Sequence, residues 1–319
     1  MDLGLSKLIT PALQWLCDVV GQYGLAIIIA TILLRLVILP LDIMQRKSSL
    51  RMQALNPKVE EINRRFANDQ QKRAQAVQQL YKKEGVSSFA GCLPLLIQLP
   101  FFAGFFTAMR TIGYQTTYQF YELVKAGDMA GFTTLLDRCR FLWIGNVFQP
   151  DAMFTLSLKN LFGGTNAIVS IIPTAEEAAL AFKALGVEVA DYASVMGDVI
   201  SQFNTKTNGL FIIAILAGVA SYFQQKSMPQ TAANADPQQA GTMKGMMIFM
   251  TIFSVYLCAT YNAAFGLYWM VTMAMGMALQ MILKKVYTPE RLAKKRGDAP
   301  DAPTFPDRKK KRSAQKEEK

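Results

Sequence analysis

The sequence predicts an all-α polytopic membrane protein with five transmembrane helices and a cytoplasmic helical hairpin. Of its 319 residues, 51% are hydrophobic, which is slightly more than a typical soluble domain carries. Five apolar stretches approach the roughly 20 residues that a helix needs to cross the hydrocarbon core. Lysine and arginine are concentrated in two of the intervening segments, and this asymmetry predicts how the spans are oriented.

Residues 1–22 precede the first span and are predicted to form an extracellular amphipathic helix at the membrane interface. The segment has no clear signal-peptide cleavage site, and its apolar stripe at helical spacing includes Leu5, Leu8, Leu13 and Val20. A loosely ordered lead-in is the alternative. The first transmembrane helix is predicted over residues 23–42.

Arg35 lies inside this first span. An ionised guanidinium near the middle of a span costs about 2.5–3.5 kcal/mol on insertion scales, and arginine does not lose its proton. Arg35 therefore needs water, a partner charge or the interface. A polar cavity would meet that need. Alternatively the side chain snorkels to the headgroups past Leu41, roughly 9 Å further along the helix.

Residues 43–90 are predicted to form a cytoplasmic coiled-coil hairpin. Apolar residues recur at intervals close to 3.5 from Met44 to Phe66 and resume further on, so two antiparallel helices would turn near residues 67–70. Asn56 and Pro57 are predicted to cap or kink the first arm. The charged outer faces would contact anionic lipid or a partner protein, or form only a solvated surface.

The remaining elements are predicted in chain order: a second transmembrane helix at 91–113, an extracellular loop with a small helical insert at 114–207, a third transmembrane helix at 208–226, a cytoplasmic loop at 227–242, a fourth transmembrane helix at 243–260, a fifth at 263–285 and a disordered basic cytoplasmic tail at 286–319. Within the outer loop, Thr174 and Glu177 predict a capping box, and Gly186 predicts the end of that helix. A second helix is predicted over residues 189–203.

Charge orients these elements. Residues 42–90 hold ten lysines and arginines against five acidic residues, and residues 284–319 hold thirteen against six. Residues 111–207 hold six against nine. Because positively charged segments stay in the cytoplasm, the N-terminus is predicted outside and the C-terminus inside. The basic run at 308–312 predicts binding to a polyanion, either phospholipid headgroups or RNA.

The composition also excludes several chemistries. Histidine is absent, which removes the commonest general base and metal ligand. The four cysteines lack the C-x-x-C spacing of zinc sites, and no G-x-x-x-x-G-K-[ST] phosphate loop occurs. No metal or other cofactor is therefore predicted.

Four segments carry a family resemblance. They are IIIATILLRLVILPL in the first span, NPKVEEINRRFANDQQKRAQAVQQLYKKEGVSSFAGCLPLLIQLPFF in the hairpin and second span, SYFQQKSMPQ, and FGLYWMVTMAMGMALQ. Together they resemble the YidC/Oxa/Alb family of membrane protein insertases, in a short form typical of Gram-positive bacteria. The similarity covers roughly residues 5–150 and 210–285 and is weak around 145–147. No counterpart of residues 152–207 is recognised in the family.

The resemblance implies five spans around a hydrophilic groove that is open to the cytoplasm and to lipid but closed to the outside. The residues that fall on groove positions are Arg35, Thr31, Gln98, Gln225, Tyr268 and Trp269. The implied function is that of an insertase and chaperone in the bacterial plasma membrane, without covalent chemistry and so not an enzyme. Implied partners are nascent membrane proteins, the ribosome or its RNA through the basic tail, anionic lipids and the general secretion channel.

Each groove residue has a structural alternative. Gln98 could hydrogen-bond a neighbouring helix, Thr31 its own i−4 carbonyl, and Trp269 could be a packing residue. Nine methionines between residues 243 and 281 could form an adaptable apolar slide or ordinary core filling. Two other functions remain open: a small-solute transporter or channel with Arg35 as an anion site, and an assembly factor that translocates nothing.

Overall fold

The computed structural model describes residues 4–85, 93–151, 171–203, 208–227 and 237–286. Within these ranges the regular secondary structure is helical, and only two isolated β-bridges accompany it. The helices are α1 Leu5–Val20, α2 Tyr23–Ala54, α3 Asn56–Arg65, α4 Gln70–Lys83, α5 Leu93–Lys125, α6 Met129–Cys139, α7 Ala175–Leu185, α8 Tyr192–Phe203, α9 Ile212–Ser227, α10 Pro237–Thr260 and α11 Ala263–Val286. The all-α prediction is thus confirmed for the described residues, and the predicted tail beyond residue 286 lies outside them.

Helices α2, α5, α9, α10 and α11 pack together. Helix α9 contacts both α10 and α11, α11 contacts α2, and α2 and α11 each contact α5. Among the described residues, Tyr23–Met44 of α2 and Ala263–Leu283 of α11 are long and apolar enough to cross a membrane, and Gly245–Thr260 of α10 is a shorter apolar helix. Large apolar side chains such as Val219 and Ile252 are exposed on this bundle, as expected of a surface that lipid covers.

Helix α1 runs beside α5 in the same direction. Its Leu5 lies against Gly104, the Gln14 amide donates to Gln115, and Asp18 pairs with Arg138 of α6 at 2.8 Å. Both long faces of α1 are apolar. One face buries Leu13 and Cys17, and the other exposes Leu8, Trp15 and Val19. Leu8 thus lies on the exposed face, although the sequence grouped it with Leu13, because α1 carries two apolar stripes and α5 covers one.

The hairpin segment contains α3 and α4, which contact each other and turn at residues 66–69, close to the predicted position. Asp69 caps α4 by accepting a hydrogen bond from the Lys72 backbone. Leu55, Val59 and Tyr81 form its small buried core. The first arm differs from the prediction at its start, since α2 continues as one helix to Ala54 and ends just before Asn56, where α3 begins with Pro57 in its first turn.

Residues 171–203 contain the two helices of the insert, α7 and α8. Thr174 and Glu177 form the predicted capping box, and Gly186 ends α7 in the left-handed conformation. Helix α8 begins at Tyr192 rather than at residue 189. The preceding Asp191 instead accepts a hydrogen bond from Tyr121 at 2.6 Å and pairs with Lys125, so it fastens the insert to the end of α5.

Candidate functional site

Arg35 lies near the middle of the apolar segment Tyr23–Met44 of α2. Its Nη2 donates to the backbone carbonyl of Thr272 on α11 at 3.3 Å, and its Nη1 lies 3.7 Å from the Asp42 carboxylate. The side chain is only 13% exposed and that of Asp42 17%. The guanidinium therefore extends along α2 in the direction that snorkelling requires, but it meets a carboxylate and a helix carbonyl.

Arg35 and one face of α11 also carry polar atoms that lack partners. Within the described residues, four buried side-chain atoms of this set have no hydrogen-bond partner: Arg35 Nε, Trp269 Nε1, Thr272 Oγ1 and Gln280 Oε1. The three on α11 are spaced by three and eight residues, so they lie along one helix face. A buried donor or acceptor without a partner costs about 1–3 kcal/mol. Water or a polar peptide segment would supply the missing hydrogen bonds.

Aromatic rings extend this face toward the N-terminal end of α11. Trp269 is half-buried and lies edge-on to Phe102 of α5, with ring centroids 5.9 Å apart. The neighbouring Tyr268 is fully buried and stacks on Phe105 at 4.6 Å. Tyr268 therefore holds α11 against α5. Trp269 both packs on α5 and carries one of the polar atoms without a partner.

The other groove candidates make different contacts. Thr31 is buried and donates to the carbonyl of Ile27 at 2.6 Å, which is the i−4 bond that the structural alternative predicts. Gln225 of α9 donates to Ser221 and to Thr251 of α10, so it links those two helices. Gln98 is helical in α5, but its side chain lies outside the described atoms.

Two residues that sequence reasoning did not select lie close to these positions. One is Asp42, which shares a helix face with Arg35 because seven residues make about two turns. The other is Gln224, whose amide fills the space over Gly276 of α11, where a Cβ would collide with it. The i, i+7 spacing of opposite charges was the available signal for Asp42. Gln224 carries no comparable signal.

The end of the bundle at which α9 begins is held by a buried polar network. Asp151 is 0% exposed and accepts backbone hydrogen bonds from Leu210, Phe211 and Ile213 at the start of α9, at 2.8–3.1 Å. The Asn208 amide donates to three backbone carbonyls of the preceding loop, including that of Asn146 at 2.9 Å. The loop and the start of α9 thus form one connected cap. Within the described residues, no three His, Cys, Asp or Glu side chains cluster in a way that could hold a metal ion.

The sequence of this chain matches a known protein family. Residues 15–291 match the family described as 60Kd inner membrane protein, which is well over half of the chain. The chain belongs to this family. The match confirms the resemblance to YidC/Oxa/Alb insertases that the sequence motifs indicated.

Curated relatives in this family are named as insertases. Membrane protein insertase MisCA of Bacillus subtilis is 28% identical over 284 residues, covering 88% of this chain and 76% of the relative. Membrane protein insertase YidC of Oceanobacillus iheyensis is 28% identical, covering 82% of this chain and 73% of the relative. The YidC of Chlamydia caviae is 25% identical over 86% of this chain, which spans only 27% of that protein.

Proposed function

We propose that this chain is a membrane protein insertase: it moves short hydrophilic segments of new membrane proteins through a groove and releases their apolar helices into the bilayer. Membership of the 60Kd inner membrane protein family and the names of the curated relatives support this function. The process needs no covalent step, so we propose that the chain is not an enzyme and uses no cofactor.

In this proposal α2, α5, α9, α10 and α11 are the five transmembrane helices, and the groove lies between α2 and α11. The observation that carries it is the Arg35 site. A permanent cation stands inside an apolar segment, beside a face of α11 whose buried polar atoms lack protein partners. A dry core of lipid and apolar side chains would penalise each of these groups. A groove wet enough for a polar peptide removes that penalty.

Three effects would lower the free-energy barrier to crossing the membrane through the groove. Arg35 offsets the charge of an acidic residue in the translocated segment, and water shortens the hydrocarbon path. The membrane potential contributes about 2.3 kcal/mol per charge per 100 mV when negative charge moves outward. Release is then driven by burial of the substrate's helix in lipid, at about 25 cal/mol per Å² of apolar surface. Trp269, at the half-buried edge of α11, is placed to contact that helix.

We further propose the topology that the charge asymmetry predicts, with α1 and the α7–α8 insert outside and the α3–α4 hairpin and basic tail in the cytoplasm. The cap around Asp151 would then close the groove on the outside. Nascent chains are the proposed substrates. The ribosome, through the basic run at 308–312, and anionic lipids, through the basic faces of the hairpin, are the proposed partners, and the general secretion channel is a third.

Reconstitution tests the function directly. The purified chain in proteoliposomes should insert an in vitro translated single-span protein with a short N-terminal tail, measured by protease protection, without another translocase. Arg35→Ala should reduce insertion when the tail carries acidic residues and should affect neutral tails less. Arg110→Ala is the matched control, because Arg110 is an exposed arginine of α5 that stacks on Tyr114.

The two other functions give different results in the same vesicles. Solute flux without insertion would indicate a transporter and overturn the proposal. Neither insertion nor flux, with binding of membrane proteins already inserted, would indicate an assembly factor and also overturn it. Full insertion of every acidic substrate by Arg35→Ala would refute the role of the guanidinium.

A further inference from the structure

The partner of Arg35 in this structure is a residue of its own helix. Asp42 follows Arg35 by seven residues, about 10 Å along α2, and lies on the same face. Both residues fall within the apolar segment Tyr23–Met44, and both side chains are largely covered. A second charge in a span costs further free energy, and charged residues at such positions usually have a function. The described residues include no other carboxylate within ion-pair distance of Arg35.

The contact between the two charges is loose. Arg35 Nη1 lies 3.7 Å from Asp42 Oδ2, whereas a charge-assisted hydrogen bond between these groups measures about 2.7–2.9 Å. A guanidinium has five N–H donors in a planar fork that matches a carboxylate through two parallel bonds. Among the described residues Arg35 makes one hydrogen bond, at 3.3 Å to a backbone carbonyl, and its Nε has no partner there. Its capacity to bind a carboxylate is therefore largely unused.

We propose that Asp42 is a built-in counter-ion that neutralises Arg35 between insertion events and that an acidic side chain of the substrate replaces it. This inference rests on the proposed function and names a residue that sets its charge selectivity. An incoming carboxylate forms a closer bidentate contact with Arg35 than Asp42 does, so it can enter. Asp42 remains in the groove and repels it, so the acidic segment does not stay bound.

The charge selectivity of the site is then a property of Arg35 and Asp42 together. With Asp42 present, the site has no net charge, and neutral and acidic tails compete on similar terms. Without it, Arg35 is an uncompensated cation that attracts acidic tails and holds them. Removal of Asp42 should therefore change the ratio between substrates, which a general loss of folded protein would not do.

The test compares two ribosome-bound nascent chains that differ only in their tails, one with two Asp residues and one with Asn at the same positions. A photo-crosslinker in the tail reports contact with the reconstituted full chain. Asp42→Asn should raise the acidic-to-neutral crosslinking ratio by about fivefold, the effect of removing one partly screened charge beside the site. Asp42→Ser should do the same. Asp42→Glu, which restores the charge, should return the ratio toward that of the unaltered protein.

Glu60→Gln is the charge-matched control. Glu60 is an exposed residue of the hairpin, 58% accessible and paired with Arg64 at 3.8 Å. Like Asp42→Asn, Glu60→Gln removes one negative charge and raises the net charge of the protein by one. The inference is overturned if Asp42→Asn and Asp42→Ser leave the ratio where Glu60→Gln leaves it, or lower it. If the unaltered chain inserts neither substrate, the proposed function fails instead. Insertion of both substrates with an unchanged ratio refutes only the role of Asp42.

Discussion

Replacement of Asp151 by alanine should loosen the end of the helix bundle at which α9 begins. The carboxylate of Asp151 is buried and accepts three backbone N–H groups at the start of α9. The N–H groups of Leu210 and Phe211 are partly exposed, whereas that of Ile213 is buried. Asp151→Ala therefore leaves one N–H without any partner and returns two to water.

The size of the effect follows from this geometry. A hydrogen bond to a charged group contributes about 1.5–3 kcal/mol, and an unsatisfied buried donor costs about 1–3 kcal/mol. Since the two partly exposed groups recover solvent, we expect a total loss of about 3 kcal/mol rather than the sum of three bonds. At about 2–4 °C per kcal/mol, the melting temperature should fall by roughly 6–12 °C.

Thermal unfolding of the purified chain in nanodiscs, followed by far-ultraviolet circular dichroism, measures this shift. Asp137→Ala is the control, because Asp137 is 60% exposed and only pairs with the neighbouring Arg140. Asp151→Asn keeps one acceptor oxygen and should fall between the two. If Asp151→Ala melts together with the Asp137 control, the buried carboxylate does not stabilise the start of α9.

Three further predictions concern packing, acidity and thiol reactivity. Gly266→Ala should destabilise the bundle by about 1–3 kcal/mol, because the added Cβ would lie 2.6 Å from a methyl carbon of α9. Gly197→Ala is the control: Gly197 lies in α8 with open space around it, so this substitution should stabilise the protein by up to about 1 kcal/mol. Chemical denaturation of the two variants measures both changes in the free energy of unfolding. Hydrogen bonds from α5 side chains lower the pKa of Asp191 below its ordinary 3.8, so its contribution to insert docking is present above about pH 4 and is lost as pH falls through the lowered pKa. Proteolysis of α7 and α8 should therefore accelerate in acid, and Asp191→Asn should accelerate it already at neutral pH. Burial raises the pKa of Cys17 to about 12 and also raises that of Cys139, so a membrane-impermeant maleimide should label neither thiol until the protein is denatured.

Local patterns predicted the secondary structure well. The capping box at Thr174 and the turn between α3 and α4 depend on residues a few positions apart, which a sequence displays directly. The start of α3 at Asn56 was signalled by the following proline. The continuity of α2 was not signalled by the sequence, because Pro40 and the charges after it resemble the end of a span.

The candidate site was predicted less completely. Arg35 was found because a lone charge in an apolar stretch is conspicuous, but Asp42 was counted with the charges of the following segment. Asp42 is the last residue of the predicted span, so it was treated as part of the basic segment rather than as a residue on the same helix face as Arg35. The bonds between Asp151 and the start of α9 join residues about 60 positions apart. Such contacts depend on tertiary packing and leave no periodic signal.

The unbroken course of α2 has a mechanical consequence. Its 32 residues make a rod of about 48 Å that begins beside the cap around Asp151, contains Arg35 part-way along and ends at Ala54, two residues before α3 begins at Asn56. In the proposed topology this rod joins the cytoplasmic hairpin to the interior of the membrane. Because the helix is continuous, a force that tilts the hairpin would also displace the guanidinium of Arg35. Binding of a partner to the hairpin and the position of the cation in the groove would therefore change together.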